Sequence, residues 1–201
     1  MRFEKARKDA AMERTRGFLL LLAALLAGEP ARADESLWKR LATEPNLVVL
    51  MRHTQNTSGK LLAWDPTGNC EGEVVLTGRG RSHAKRIGEE FERRGVKPGA
   101  VISSPMCRCR ETARIAFGAD GAMDPALRET ASADSARASE FDAVASRLIA
   151  QKRGPGPVVF VSHQPNINQI TMELIADGDL LVARADEKGA LDVLGKLRVA
   201  P

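Results

Sequence analysis

The sequence predicts an α/β fold, a three-layer α/β/α sandwich with a mostly parallel central sheet and an edge hairpin at the C-terminal end. Three observations carry this. Apolar runs of strand length alternate with amphipathic stretches of helix length. Two of those runs, Leu47 to Met51 and Val158 to Val161, contain no polar residue and suit strands covered on both faces. The chain closes with LLVARADEKGALDVLGKL, two runs around a Glu-Lys-Gly turn. At 201 residues and 43% apolar content the chain can bury one core, and no repeat or low-complexity tract interrupts it.

The first 33 residues read differently from the rest. They hold seven Lys or Arg against four Asp or Glu, so +3 of the chain's net +4 lies there and the remainder carries +1. A basic start ending in Arg14 and Arg16, an apolar run from Phe18 to Ala27 and the small-residue site Ala31-Arg32-Ala33 form the three parts of a secretory signal. Cleavage is expected after Ala33, giving a signal peptide over 1–33 and one domain over 34–201. The ten-residue apolar run is too short to span a bilayer, so no stable membrane anchor is expected after cleavage. Met12 offers an alternative start with a more usual basic region. These features predict a secreted or periplasmic protein.

Each mature element then has its own signal. Residues 54 to about 76 form a long loop with Gly59, Pro66, Gly68 and Gly72. GRSHAKRIGEEFERRG, Gly80 to Gly95, aligns Ala84, Ile87 and Phe91 on one face of a surface helix and leaves His83 on its polar side. Ala100 to Ser103 is the next strand, and Ser104-Pro105 supplies an N-cap and first-turn proline for a helix to about Phe117. Within that helix Arg110 and Arg114 are expected to face solvent. Phe141, Val144, Ala145, Leu148 and Ile149 fit the helical template after a cap at Ser139. A helix over Asn166 to about Ile175 follows the strand at Val158.

Three cysteines, Cys70, Cys107 and Cys109, permit one disulfide in an oxidising compartment, expected between Cys70 and one of the other two. No Cys-x-x-Cys or His-x-x-x-His spacing suggests zinc. Without tyrosine and with 4% aromatics, the chain lacks the exposed rings of a base-stacking surface, so no nucleic-acid partner is expected.

Three strands deliver polar groups at their carboxyl ends: Arg52-His53, Ser103 through Arg108, and His163. Ligands bind at that edge of open parallel sheets. Arginine presents a planar fork of donors matched to phosphate oxygens, and Arg108 falls in a first helical turn whose N–H groups also favour an anion. A neutral histidine can attack phosphorus, and His53 is the expected nucleophile, with His163 a second phosphate donor. No metal or other cofactor is needed if the arginines carry the charge.

These residues resemble the histidine phosphatase superfamily, also called phosphoglycerate mutase-like. Arg52-His53-Thr54 is similar to the family's Arg-His-Gly, and Leu76-Thr77, Gly80 and Ala84 to its next segment. Ser103-Ser104-Pro105-Met106-Cys107-Arg108 with Thr112-Ala113 resembles its Ser-Ser-Pro-x-x-Arg and Thr-Ala, and Val161-Ser162-His163 its second histidine. The pieces occur in family order over roughly residues 46 to 175. The resemblance implies that His53 is phosphorylated, that Arg52, Arg108 and His163 bind the phosphoryl group, and that Glu129 of Leu127-Arg128-Glu129 is the general acid. Arg128 is read as a surface residue. Thr54 in place of glycine puts a side chain on the site floor, and Gln55 stands where many members carry an acid.

The short chain and its signal look like the exported branch that includes lipopolysaccharide core heptose phosphatase. The expected activity is hydrolysis of a small-molecule or glycan phosphate ester. The alternative is an inactive module that binds a glycan or lipid phosphate in the same pocket; a mutase is disfavoured because its substrates are cytosolic. Oligomeric state does not follow from the sequence.

Overall fold

The computed structural model describes residues 29–58, 67–118, 122–129, 143–149, 151, 155–186 and 190–201. The chain divides into two compact units, Met1–Ser36 and Leu37–Pro201. Of the first, only the opening turns of helix α1 (Glu29–Thr43) are described, and the apolar run Phe18 to Ala27 lies outside the described residues. The second unit holds β1 (Leu47–Arg52), α2 (Gly78–Arg93), β2 (Ala100–Ser103), α3 (Cys107–Phe117), β3 (Ala122–Met123), a 3-10 turn (Pro125–Leu127), helix α4 (143–149), β4 (Val158–Ser162), α5 (Gln164–Thr171), β5 (Leu180–Ala185) and β6 (Leu191–Leu197).

The strands form one sheet in the order β3-β2-β4-β1-β5-β6. The pairs β3 with β2, β2 with β4 and β4 with β1 are parallel, and β5 joins β1 antiparallel, with β6 as the hairpin's outer strand. Successive side chains of a strand point to opposite faces. In β1, Leu47, Val49 and Met51 enter a core with Trp38, Leu41, Ile87, Phe91 and Ala113, whereas Val48 and Leu50 enter a second core with Leu148, Ile149, Phe160 and Ile167. Helices α1, α2 and α3 thus cover one face, and α4 and α5 the other. This is the expected three-layer sandwich.

The structure corrects several details. Helix α2 begins two residues earlier than expected, because the Thr77 hydroxyl caps it by accepting from the Gly80 N–H at 3.0 Å. Helix α3 begins at Cys107 behind Met106, so Ser104 is not its N-cap; the Ser104 hydroxyl is engaged with Met106 N–H and His163 instead. Helix α5 runs from Gln164 to Thr171, where Met172 in a left-handed conformation ends it. The Ser139 cap and Phe141 lie outside the described residues. The two-residue β3 has too little periodicity to be read in advance.

His83 is not a solvated surface residue. It is buried, its Nε2 lies 2.9 Å from the Val199 carbonyl, and its ring packs where a side chain on Gly178 would sit. A helical wheel marks His83 as polar, but the carbonyl that satisfies it is 116 residues away in sequence. Arg114 is exposed as expected, whereas Arg110 is half-buried and donates to the Gly68 carbonyl at 2.9 Å.

Gly80 lets α2 approach the nucleophile loop: a Cβ there would lie 2.0 Å from the Gln55 carbonyl oxygen. Gly80→Ala should therefore lower stability by about 1–3 kcal/mol, as overpacking does. Gly78, where an added Cβ would meet nothing within 4 Å, is the control. The check is the urea midpoint of each variant; a Gly80→Ala protein as stable as Gly78→Ala would contradict the close approach.

Candidate active site

Parallel pairing of β1 with β4 sets Arg52 beside Ser162, so the next residue of each strand, His53 and His163, emerges side by side. Their ring centroids are 5.4 Å apart although 110 positions separate them. The His53 N–H donates to the Ser162 carbonyl at 3.1 Å, and Ser104 N–H to the Val161 carbonyl at 2.8 Å, which joins the ends of β1, β2 and β4 into one floor.

Arg108, in the first turn of α3, reaches across this floor and is 1% exposed. Its Nε donates to His53 Nε2 at 3.3 Å and its Nη2 to His163 Nδ1 at 3.1 Å. The same Nη2 holds the Glu129 carboxylate in a short ion pair, and Glu129 Oε2 is 3.9 Å from His163 Nδ1. Glu129 follows the 3-10 turn, which is fixed by Ser162 Oγ donating to the Leu127 carbonyl at 2.9 Å and Asn166 Nδ2 to the Arg128 carbonyl at 2.6 Å.

Ring tautomers follow from the partners. The Thr54 carbonyl can only accept, so His53 Nδ1, 2.9 Å away, carries the proton and Nε2 presents its lone pair. Arg108 can only donate, so His163 Nδ1 accepts and its Nε2 donates to Ser104 Oγ at 2.9 Å. Burial pushes the His53 pKa from 6.5 to about 3; the Thr54 carbonyl opposes this, and the Arg108 and Arg52 charges add to it. Burial, then Arg108, His53 and Arg52, holds His163 well below its ordinary value. Both rings are neutral at physiological pH.

Arg52 is held from the other side. Its Nη1 donates to the Ile175 carbonyl at 3.2 Å and its Nη2 pairs with Asp177 at 2.8 Å. Arg52 Nε and Arg108 Nη1 are buried donors with no partner among the described residues. Two orphaned guanidinium nitrogens, on arginines that belong to the same strand-end cluster as the His53 ring, are donors suited to an oxyanion.

Asp177 shapes the site without having been singled out in the sequence, and Ser104, Ser162, Asn166 and Thr112 were seen in advance only as parts of motifs. Thr112 donates to the Arg108 carbonyl at 2.7 Å and accepts from the Thr54 N–H at 3.2 Å. The Thr54 hydroxyl, fully buried, lies 3.4 Å from that of Thr112, so the side chain replacing a glycine is directed onto α3. Gln55 is exposed and accepts from the Thr77 hydroxyl at 2.9 Å.

Cys70 and Cys107 form the disulfide. Cys109 is buried as a thiol against His163, and burial pushes its pKa up to about 12, which leaves little thiolate for redox chemistry. The first N–H of α3 is not free for a substrate anion as expected, because Cys107 N–H donates to Glu73 Oε2 at 2.8 Å. Among the described residues no three His, Cys, Asp or Glu side chains gather to hold a metal ion.

Residues 48–136 match the family model of the histidine phosphatase superfamily, branch 1. That segment carries Arg52, His53, Arg108 and Glu129 and is similar to the histidine phosphatase superfamily. A curated relative, the mitochondrial serine/threonine-protein phosphatase Pgam5 of Drosophila virilis, is 34% identical over 90 residues, which are 45% of this chain and 28% of the relative. The chain therefore spans under a third of that relative's length. Among solved structures, the protein histidine phosphatase SixA complexed with tungstate aligns with a TM-score of 0.55 at 16% identity, covering 75% of this chain and 96% of that one. The putative phosphohistidine phosphatase SixA from Agrobacterium tumefaciens aligns at 0.51 and 22% identity, over 78% and 99%. At these identities the structural likeness establishes the fold.

The neutral histidines predict a pH dependence of stability. A histidine whose folded pKa lies below its unfolded value favours folding fully above pH 6.5, and that contribution is lost as pH falls toward about 3, because only the unfolded chain takes up the proton. The urea midpoint should therefore drop between about pH 6.5 and pH 4.5, above the range where most carboxylates titrate. In a His53→Asn protein the drop should be shallower; an identical slope would show that His53 does not titrate as described.

Proposed function

We propose that this chain is an exported phosphomonoesterase that hydrolyses a small-molecule or glycan phosphate ester through a phosphohistidine on His53. The observation that carries this reading is the unprotonated Nε2 of His53 facing a buried Arg108 guanidinium whose Nη1 has no partner among the described residues. A phosphate dianion entering there takes the Arg108 and Arg52 donors and displaces the Glu129 carboxylate. Its charge favours the protonated form of the imidazole beside it, so His163 Nδ1 acquires a proton to donate, and Glu129 in its acid form is the proposed proton donor to the leaving group.

His53 Nε2 then attacks phosphorus, the bond to the ester oxygen breaks, and Glu129 gives its proton to the departing alkoxide. The carboxylate so formed takes a proton from a water molecule that attacks the phosphohistidine. Phosphate leaves and His53 returns to its Nδ1–H tautomer. The Thr54 carbonyl stabilises the ring throughout, since it accepts the Nδ1 proton while Nε2 carries the phosphoryl group.

Export is supported by two features. The leader-like pattern over 1–33 is followed by Leu37, the first buried side chain among the described residues, downstream of the expected cleavage at Ala33. The Cys70–Cys107 disulfide suits an oxidising compartment. Sequencing the N-terminus of exported protein should find Asp34 first; an intact leader on protein recovered outside the cytoplasm would contradict cleavage.

The direct test is hydrolysis of aryl and alkyl phosphates across about pH 4 to 8, around the histidine range. His53→Ala should abolish turnover with folding intact; retained turnover would rule out this nucleophile. Glu129→Gln should slow an alkyl phosphate by about 10²–10⁴-fold, the usual contribution of a general acid, and a nitrophenyl phosphate far less, since that leaving group departs unprotonated. Equal losses on both would remove Glu129 from the acid's role. Tight phosphate binding without turnover of any ester would identify a binding module instead.

A further inference from the structure

Helix α3 carries Arg108 but lacks a cap of its own. Met106, its N-cap residue, makes no side-chain capping bond, and no acidic residue lies in its first turn. The acceptor for its first N–H comes from another part of the chain: Glu73, whose Oε2 takes the Cys107 N–H at 2.8 Å. Two further links fasten the same segment to the same helix. Cys70 is bonded to Cys107, and the Gly68 carbonyl accepts from Arg110 Nη1 at 2.9 Å. A turn closed by Glu73 N–H on the Cys70 carbonyl at 3.1 Å makes residues 70–73 one compact unit.

This unit connects the two halves of the site. The loop that holds it starts at Thr54, directly after His53, and its return limb pairs with its outgoing limb at Asn56 and Leu76. The Leu76 N–H then donates to Glu111 on α3 at 3.3 Å. The chain leaving the nucleophile therefore docks on the helix that bears the arginine, next to that arginine. The start of α3 decides where Arg108 leaves the backbone, and hence whether its guanidinium reaches His53 and His163 together.

We infer that Glu73 is a positioning residue for the phosphate clamp, delivered to the α3 N-terminus by the Cys70–Cys107 disulfide and acting on substrate through Arg108. The inference rests on the phosphatase reading above and adds to it a part for a residue with no place in the chemical steps. A half-buried carboxylate at a helix N-terminus satisfies an orphan N–H and complements the helix dipole. Supplied through a cross-link, it needs no ordering of a free loop at each encounter with substrate. An anion placed there only for its charge would oppose a phosphate dianion, so the two roles predict opposite signs on removal.

The test compares the oxidised wild-type protein with Glu73→Ala, Glu73→Gln and a Cys70→Ser/Cys107→Ser protein. Readouts are inorganic phosphate affinity by calorimetry, KM and kcat on an aryl phosphate, and thermal melting. Loss of a capping acceptor shifts an equilibrium by about fivefold, so Glu73→Ala and the double-serine protein should each weaken phosphate binding and raise KM by about that factor, with kcat within about twofold. Glu73→Gln keeps an acceptor oxygen and should stay near wild type. In the double-serine background Glu73→Ala should add little, since both changes release the same unit.

Unchanged or tighter phosphate binding in Glu73→Ala, or a Glu73→Gln protein as impaired as Glu73→Ala, would overturn the inference while leaving the phosphatase reading standing. A lower melting temperature with unchanged KM and phosphate affinity would overturn it too, as a purely structural staple. Wild-type protein that neither binds phosphate nor hydrolyses any ester would overturn both.

Discussion

The site depends on one buried positive charge. Arg108 is almost fully removed from solvent, and an isolated ion in such a place costs several kcal/mol after relaxation of its surroundings. The fold answers that cost with Glu129, which makes the ion pair, and with two imidazoles that accept hydrogen bonds from the guanidinium. Those bonds are available only while both rings are neutral. The same burial that demands a partner for Arg108 keeps His53 and His163 unprotonated, so the proposed nucleophile and its electrostatic support arise from one constraint.

Keeping this geometry is the task of backbone register and a few hydroxyls. The parallel pairing of β1 and β4 fixes the lateral distance between the histidines, and the carbonyl of Thr54 and the hydroxyl of Ser104 fix which nitrogen of each ring faces Arg108. Thr112 links the backbone of Arg108 to that of Thr54, so a shift of α3 would be felt one residue from His53. Thr54 fits where the motif favours glycine because its hydroxyl has a mate in Thr112. Its side chain therefore contributes to the junction between loop and helix.

Much of this was legible in the sequence because it depends on local pattern. Unbroken apolar runs reveal strands covered on both faces, and polar residues at their ends reveal the edge that carries the candidate site, since a parallel sheet must bring those ends together. What stayed hidden depends on contacts between distant segments. His83 reads as surface from its helix alone and is buried by the C-terminal residues. Ser104 reads as a cap and is spent on His163. The cap of α3 could not be found near α3, since Glu73 arrives from a loop 34 residues earlier. Asp177 is an ordinary acid until the segment after α5 is seen to enclose Arg52.

The placement of Glu129 joins resting stability to turnover. In the resting site its carboxylate neutralises Arg108; removing one member of a buried ion pair costs about 3–5 kcal/mol, so the clamp is not left empty. On the proposed function a phosphate ester competes with this carboxylate for the same guanidinium donors and displaces it. Glu129, freed from Arg108, is then the proposed acid for the leaving alcohol and the proposed base for the attacking water. In that reading one side chain serves as counter-ion, acid and base in turn, because each role is set by which anion occupies the arginines.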